Sequence, residues 1–214
     1  MRVWRELSHL SVARTRNKHY HKGRRHFSLG LLHFLGMLVF TQNYFSLLEL
    51  PEQFMVDEAA LASHYRQLQK RVHPDKFASH TEQEQRLAVQ FSAHVNQAYS
   101  CLRSPLKRAV YLLELRGLKG QFAQMTIGDS AFLLQQMQLR EDLMDLRAAP
   151  NRLAALEKLQ QQAQAMSASI QAEFQVQFNA GHLELAQQHV AKLHFIDKFL
   201  ADLHQLEDQL LDEV

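Results

Sequence analysis

The chain has 214 residues, is 46% hydrophobic and carries a formal net charge of +2, which excludes a disordered or collagen-like polymer and allows one sizeable core or two small ones. That charge averages unlike parts: residues 1–42 hold eight Lys/Arg against Glu6 alone, whereas residues 43–214 hold sixteen against twenty-one acids, and this net of -5 argues against a body that wraps nucleic acid. Cys101 is the only cysteine, so an intramolecular disulfide and a multi-cysteine zinc site are excluded by count, and Cys101 itself reads as a small apolar residue packed in a helix.

Residues 2–26 are basic and His-rich, and an apolar run follows at 27–40, broken by Ser28, Gly30, His33 and Gly36. A membrane span needs about 20 apolar residues, and the run falls short of that. It can be read as a targeting segment, an organellar presequence or an extension from an upstream start codon; the last is favoured and places residues 1–42 outside the fold. The histidines at 19, 21 and 26 define no metal site without a scaffold around them.

From residue 43 every Pro and Gly falls where a helical reading needs an interruption. Residues 44–50 predict a short first helix. Asp57 caps a second that runs to about Val72 with the stripe Leu61, Tyr65, Leu68 and Val72. Thr81 and Glu84 form a capping box that opens a third, striped by Leu87, Phe91, Val95, Ala98 and Leu102. Pro105 starts a fourth, short helix that Gly117 ends. Residues 119–128, with two glycines and weak periodicity, read as a linker between domains. Beyond it Asp129 caps a helix to about Ala148, Pro150 opens another to about Ala180, and Gly181 separates that from a last helix ending near Leu211. The middle one carries Leu156, Leu159, Ala163, Met166, Ile170 and Phe174. The last carries Ala186, Val190, Leu193, Ile196, Leu200 and Leu203, so the second half predicts a three-helix bundle.

His73-Pro74-Asp75 lies between the two antiparallel helices of the first half. Pro74 lacks an N–H and ends the helix there, which leaves His73 and Asp75 at an exposed bend, free to bond another protein. Arg66 and Lys70 stand one turn apart on a face distinct from the apolar stripe. A catalytic use of His73 with Asp75 lacks a nucleophile in any recognisable elbow, and the chain has no Gly-rich phosphate loop and no H-E-x-x-H pair. The chain therefore reads as a binding protein and not an enzyme.

Tyr65-Arg66 and Leu68 before this tripeptide, Lys76-Phe77 after it, and Asn96-Gln97-Ala98-Tyr99 on the facing helix together resemble the J domain over residues 43–118. That resemblance implies that His73, Pro74 and Asp75 engage a seventy-kilodalton heat-shock chaperone, with Arg66, Lys70, Arg71 and Lys76 as its basic docking face.

In the helix from Asp129, Phe132, Leu139, Leu143 and Leu146 make one buried stripe, while Leu133, Leu134 and Met137 lie off it beside Gln138 and Glu141. Phe195 sits roughly 140° from the centre of the last helix's stripe at about 100° per residue, so the core does not call for it. These surplus groups read as a protein-binding face, although packing between the two domains can absorb part of it.

The strings Phe132-Leu133-Leu134, Leu139-Arg140-Glu141-Asp142-Leu143 and Lys192-Leu193-His194-Phe195-Ile196-Asp197-Lys198 resemble the HscB family of J-type co-chaperones of iron-sulfur cluster assembly over residues 43–214. The resemblance implies an all-α, L-shaped protein whose residues 129–214 bind the scaffold protein IscU through Leu133, Leu134, Met137, Gln138, Glu141 and Phe195. Its J domain is then expected to serve an HscA-type chaperone and stimulate that partner's ATPase, with no cofactor or metal of its own. Gln138 departs from the acid that the family often has. Some eukaryotic relatives place a cysteine-rich zinc module before the J domain, and its lack here points to a bacterial cytoplasmic protein. The runner-up is a J-domain co-chaperone for another client, membrane-associated through residues 27–40.

Overall fold

The computed structural model describes residues 42–212 apart from 121, 147 and 148, and every expectation for residues 1–41 lies outside the described residues. The described residues are all-helical: α1 (Tyr44–Leu47), α2 (Glu58–Val72), a 3-10 turn (Pro74–Phe77), α3 (Glu82–Arg103), α4 (Pro105–Leu115), a second 3-10 turn (Phe122–Gln124), α5 (Ser130–Leu146), α6 (Arg152–Asn179) and α7 (Leu183–Asp212). They pack as two units that divide after Arg103.

In the first unit each helix begins on a side-chain cap. Asn43 Oδ1 accepts from the Ser46 N–H at 2.8 Å, and Asp57 Oδ1 accepts from Ala59 and Ala60 at 2.9 and 3.0 Å. The capping box at α3 is present in both directions: the Glu84 carboxylate accepts from the Thr81 N–H at 2.9 Å, and Thr81 Oγ1 accepts from the Glu84 N–H at 3.3 Å. α2 and α3 pack as an antiparallel pair with α1 across α3, burying Phe45, Leu48, Phe54, Leu61, Leu68, Val95 and Ala98. Tyr65 stacks on Tyr99 with ring centroids 4.0 Å apart, and its hydroxyl donates to Asn96 Oδ1 at 3.0 Å. The first helix is shorter than expected because Glu49 adopts φ 54, which ends the turn before Leu50.

In the second unit α6 and α7 form the main antiparallel pair, and α5 packs on α6. Gly181 joins α6 to α7 with φ +77; the His182 N–H donates to the Gln177 carbonyl at 2.9 Å and the Gly181 N–H to that of Phe178 at 3.1 Å, a C-terminal cap that needs the left-handed conformation.

Three expectations are corrected here. Pro150 does not open α6; it precedes Asn151, whose Oδ1 caps the helix by accepting from Ala154 at 3.1 Å. Residues 119–128 are not a bare linker, because Phe122 is buried and its turn packs on α7. On α7 Leu200 is half-buried while Phe199 is buried in its place. α4 and the Phe122 turn both pack on α7 beside α6, so α7 buries a wider arc than the single stripe of a three-helix bundle.

Candidate functional site

At the end of α2, His73 takes extended backbone angles and Pro74 starts the 3-10 turn, as proline's missing N–H and fixed φ require. The bend is tied at its base. His73 O accepts from the Lys76 N–H at 3.0 Å, and Phe77 O accepts from that of His80 at 2.9 Å. From α3, Gln85 Nε2 donates to the carbonyls of Ala78 and His80, each at 3.0 Å. Phe77 is half-buried against this base. The side chains of His73 and Asp75 are 54% and 89% exposed, with His73 Nδ1 3.4 Å from the Asp75 carboxylate. The same nitrogen accepts from the Asp75 N–H at 3.3 Å. Arg66, Lys70, Arg71 and Lys76 are all exposed.

On α5 the periodicity separates two faces. Phe132, Leu139 and Leu146 are buried at spacings of seven, with Leu143 half-buried beside them. Leu133, Leu134 and Met137 stand outside, the last two 67% and 59% exposed. Glu141 is exposed beside them, and Gln138 Nε2 donates along the helix to Asp142 Oδ1 at 2.9 Å. Met144 is also exposed and continues the line Leu134, Met137, Glu141 by one more turn. The sequence reading missed it although the three-four spacing was there to follow.

Phe195 departs from the expectation of a wholly surplus ring. It is half-buried, meeting Phe132 edge-on at 5.9 Å, stacking on Phe199 at 6.1 Å, and lying under the Arg140 guanidinium at 5.6 Å. Phe132 and Arg140 of α5 cover it on one side, so it belongs partly to the fold and only its remaining surface is open. One turn earlier Lys192 is buried, and Nζ lies 2.6 Å from Asp129 Oδ2. This bond, with the Phe132 N–H donated to the same carboxylate, holds Asp129 below its ordinary pKa. Nearby, burial and then Lys192 push the His189 imidazole down, opposed by Glu173 3.3 Å away.

Among the described residues no group of three or more His, Cys, Asp or Glu is placed to hold a metal, and no helix is long and apolar enough to cross a membrane.

Family profiles match two stretches of the chain: the DnaJ domain over residues 43–111 and the HSCB C-terminal oligomerisation domain over residues 128–204. The Co-chaperone protein HscB homolog of Shewanella oneidensis is 41% identical over 173 residues, which cover 79% of this chain and 99% of that protein. The solved structure of Chaperone HscB from Vibrio cholerae aligns with a TM-score of 0.71 at 40% identity, over 79% of this chain and 99% of that one. Human co-chaperone protein HscB aligns with a TM-score of 0.71 at 29% identity, over 78% and 83% of the two chains. With its exposed His73-Pro74-Asp75 bend and a C-terminal helical unit of this kind, the chain belongs to the HscB family of J-domain co-chaperones.

Proposed function

We propose that this co-chaperone is an adaptor. Its C-terminal residues 129–214 bind an IscU-type iron-sulfur scaffold through Leu133, Leu134, Met137, Gln138, Glu141 and the open edge of Phe195. Its residues 43–118 present that client to an HscA-type chaperone through His73, Pro74 and Asp75, flanked by Arg66, Lys70, Arg71 and Lys76. The ATP site is the partner's. The adaptor raises its turnover by binding the hydrolysis-competent state in preference to the other, a coupling of equilibria that needs no catalytic group on this chain. Cluster transfer and maturation of iron-sulfur proteins follow from that turnover, in the bacterial cytoplasm.

The observation that carries this reading is the pairing of an exposed, base-tied His-Pro-Asp bend in one unit with an exposed apolar stripe on α5 in the other. Large apolar side chains aligned on one exposed helix face, with carboxylates beside them, suit a protein partner better than water. The test is the chaperone's steady-state ATPase with adaptor and scaffold, singly and together. His73→Gln is expected to abolish stimulation while scaffold binding persists. Leu134→Ser is expected to weaken scaffold binding and the joint stimulation only. Unchanged stimulation in both variants would overturn the proposal, and loss of stimulation without any scaffold capture would point to another client.

A further inference from the structure

We infer that Lys192 is a positioning residue for the α5 binding face: its ammonium, inside the second unit, sets the first turn of α5 and the Phe132–Phe195 ring pair that borders that face. This rests on the reading of α5 as the scaffold-binding helix.

Lysine is almost never this buried unless it is paired. The Lys192 side chain is 11% exposed, and its partner Asp129, 40% exposed, is the N-cap of α5. The Asp129 carboxylate is therefore held from two sides: Oδ1 accepts from the Phe132 N–H at 3.1 Å and Oδ2 accepts from Lys192 Nζ at 2.6 Å. The same ammonium lies 5.5 Å from the centre of the Phe132 ring, and Phe132 meets Phe195 edge-on, with 85° between their planes. One cation thus touches the cap and the ring that follows it, while Leu133 and Leu134 project from that same turn to the outside.

A buried ion pair is poor evidence for stability, since a well-packed apolar residue of similar volume often stabilises as well or better. An apolar replacement at position 192 would still fill the space but would leave the cap of α5 held from one side only. Asp129 is open enough to water for its carboxylate to be hydrated once released, so the fold has no large buried charge left unpaired. A positional role and a merely structural one therefore make opposite forecasts for an apolar substitution.

The test uses the full chain and purified IscU-type scaffold, with Lys192→Met, Asp129→Asn, the double variant and Leu134→Ser. Measured are the scaffold dissociation constant, the thermal midpoint and amide exchange at residues 130–134. For Lys192→Met the expected result is about tenfold weaker binding from lost preorganisation, faster exchange confined to those amides, and a midpoint unchanged or raised. The double variant is expected to bind no worse than Lys192→Met alone, because both remove one contact. Binding unchanged by Lys192→Met while Leu134→Ser weakens it overturns this inference and leaves the scaffold reading standing. Binding unchanged in every variant, Leu134→Ser included, overturns both. A loss of affinity that only follows a fall in the thermal midpoint also overturns it, in favour of a structural role.

Discussion

Gln85 clamps the His-Pro-Asp bend from α3, and Gln85→Ala removes that clamp without touching the tripeptide. The carboxamide nitrogen carries two hydrogens and the structure gives each a carbonyl, Ala78 O and His80 O, both at 3.0 Å. A net contribution of about 0.5–1.5 kcal/mol per bond sets the loss at about 1–3 kcal/mol. Ala78 and His80 are exposed, so their carbonyls rehydrate and no burial penalty is added. Alanine also offsets a few tenths of a kcal/mol, roughly, as the better helix former. About 1–2 kcal/mol of local stability should therefore go, concentrated in residues 76–80 because opening there need not unfold α3. Native-state amide exchange measures it directly: the Ala78 and His80 amides, which donate to Asp75 and Phe77, are expected to exchange about tenfold faster. Half-maximal stimulation of the partner ATPase should shift to higher adaptor concentration. Exchange at both amides as slow as in the parent would refute the reasoning, since the backbone turn bonds would then suffice.

Phe174 is fully buried and stacked on Phe178 at 5.6 Å, so Phe174→Ala is expected to cost about 3–5 kcal/mol in urea unfolding. Gly181→Ala meets no atom within 4 Å but must hold φ +77, so its cost is backbone strain alone, about 1–2 kcal/mol in the same assay. His189 titrates below the ordinary 6.5 because burial and Lys192 disfavour its charged form, against Glu173 and Asp129. The unfolded chain therefore binds the proton first, and stability should fall as the pH drops below about 6.5; thermal midpoints across that range should fall less steeply in His189→Gln.

The helix ends were legible because their signals are local. Asp57, Thr81 with Glu84, Pro105, Asp129 and Gly181 each act within a few residues, and a reader of the sequence needs only cap and turn chemistry to place them. The outward face of α5 was legible for a similar reason, since Leu133, Leu134 and Met137 fall off the stripe of the one helix that holds them. What was hidden depended on distant partners. Lys192 lies among apolar residues and on its own reads as a solvated charge; the carboxylate that makes its burial tolerable is 63 residues away. Phe195 was misjudged because α5 lays Phe132 and Arg140 against it, and Phe199 is buried with Phe195 stacked on it; no period within α7 announces these neighbours. Residues 119–128 look like a linker until Phe122 is seen packed.

Each candidate face is a set of exposed side chains on a base held by buried or tied groups. A free stretch over residues 73–80 would lose about 1–2 kcal/mol per residue of backbone freedom on docking, on the order of 10 kcal/mol in all. With the backbone already tied by the turn bonds and Gln85, docking need immobilise only side chains such as His73 and Asp75, at about 0.5–1.5 kcal/mol each. The α5 face follows the same logic with different parts. Its helix supplies the backbone order, and Asp129 with Lys192 fixes where that helix starts. In both cases the exposed groups of the candidate face, Phe195 apart, contribute little to the fold, whereas on the proposed reading the groups behind them decide how much of the binding energy survives as affinity. Substitutions in the second class should therefore be the informative ones: they leave every contact atom in place and change only the cost of presenting it.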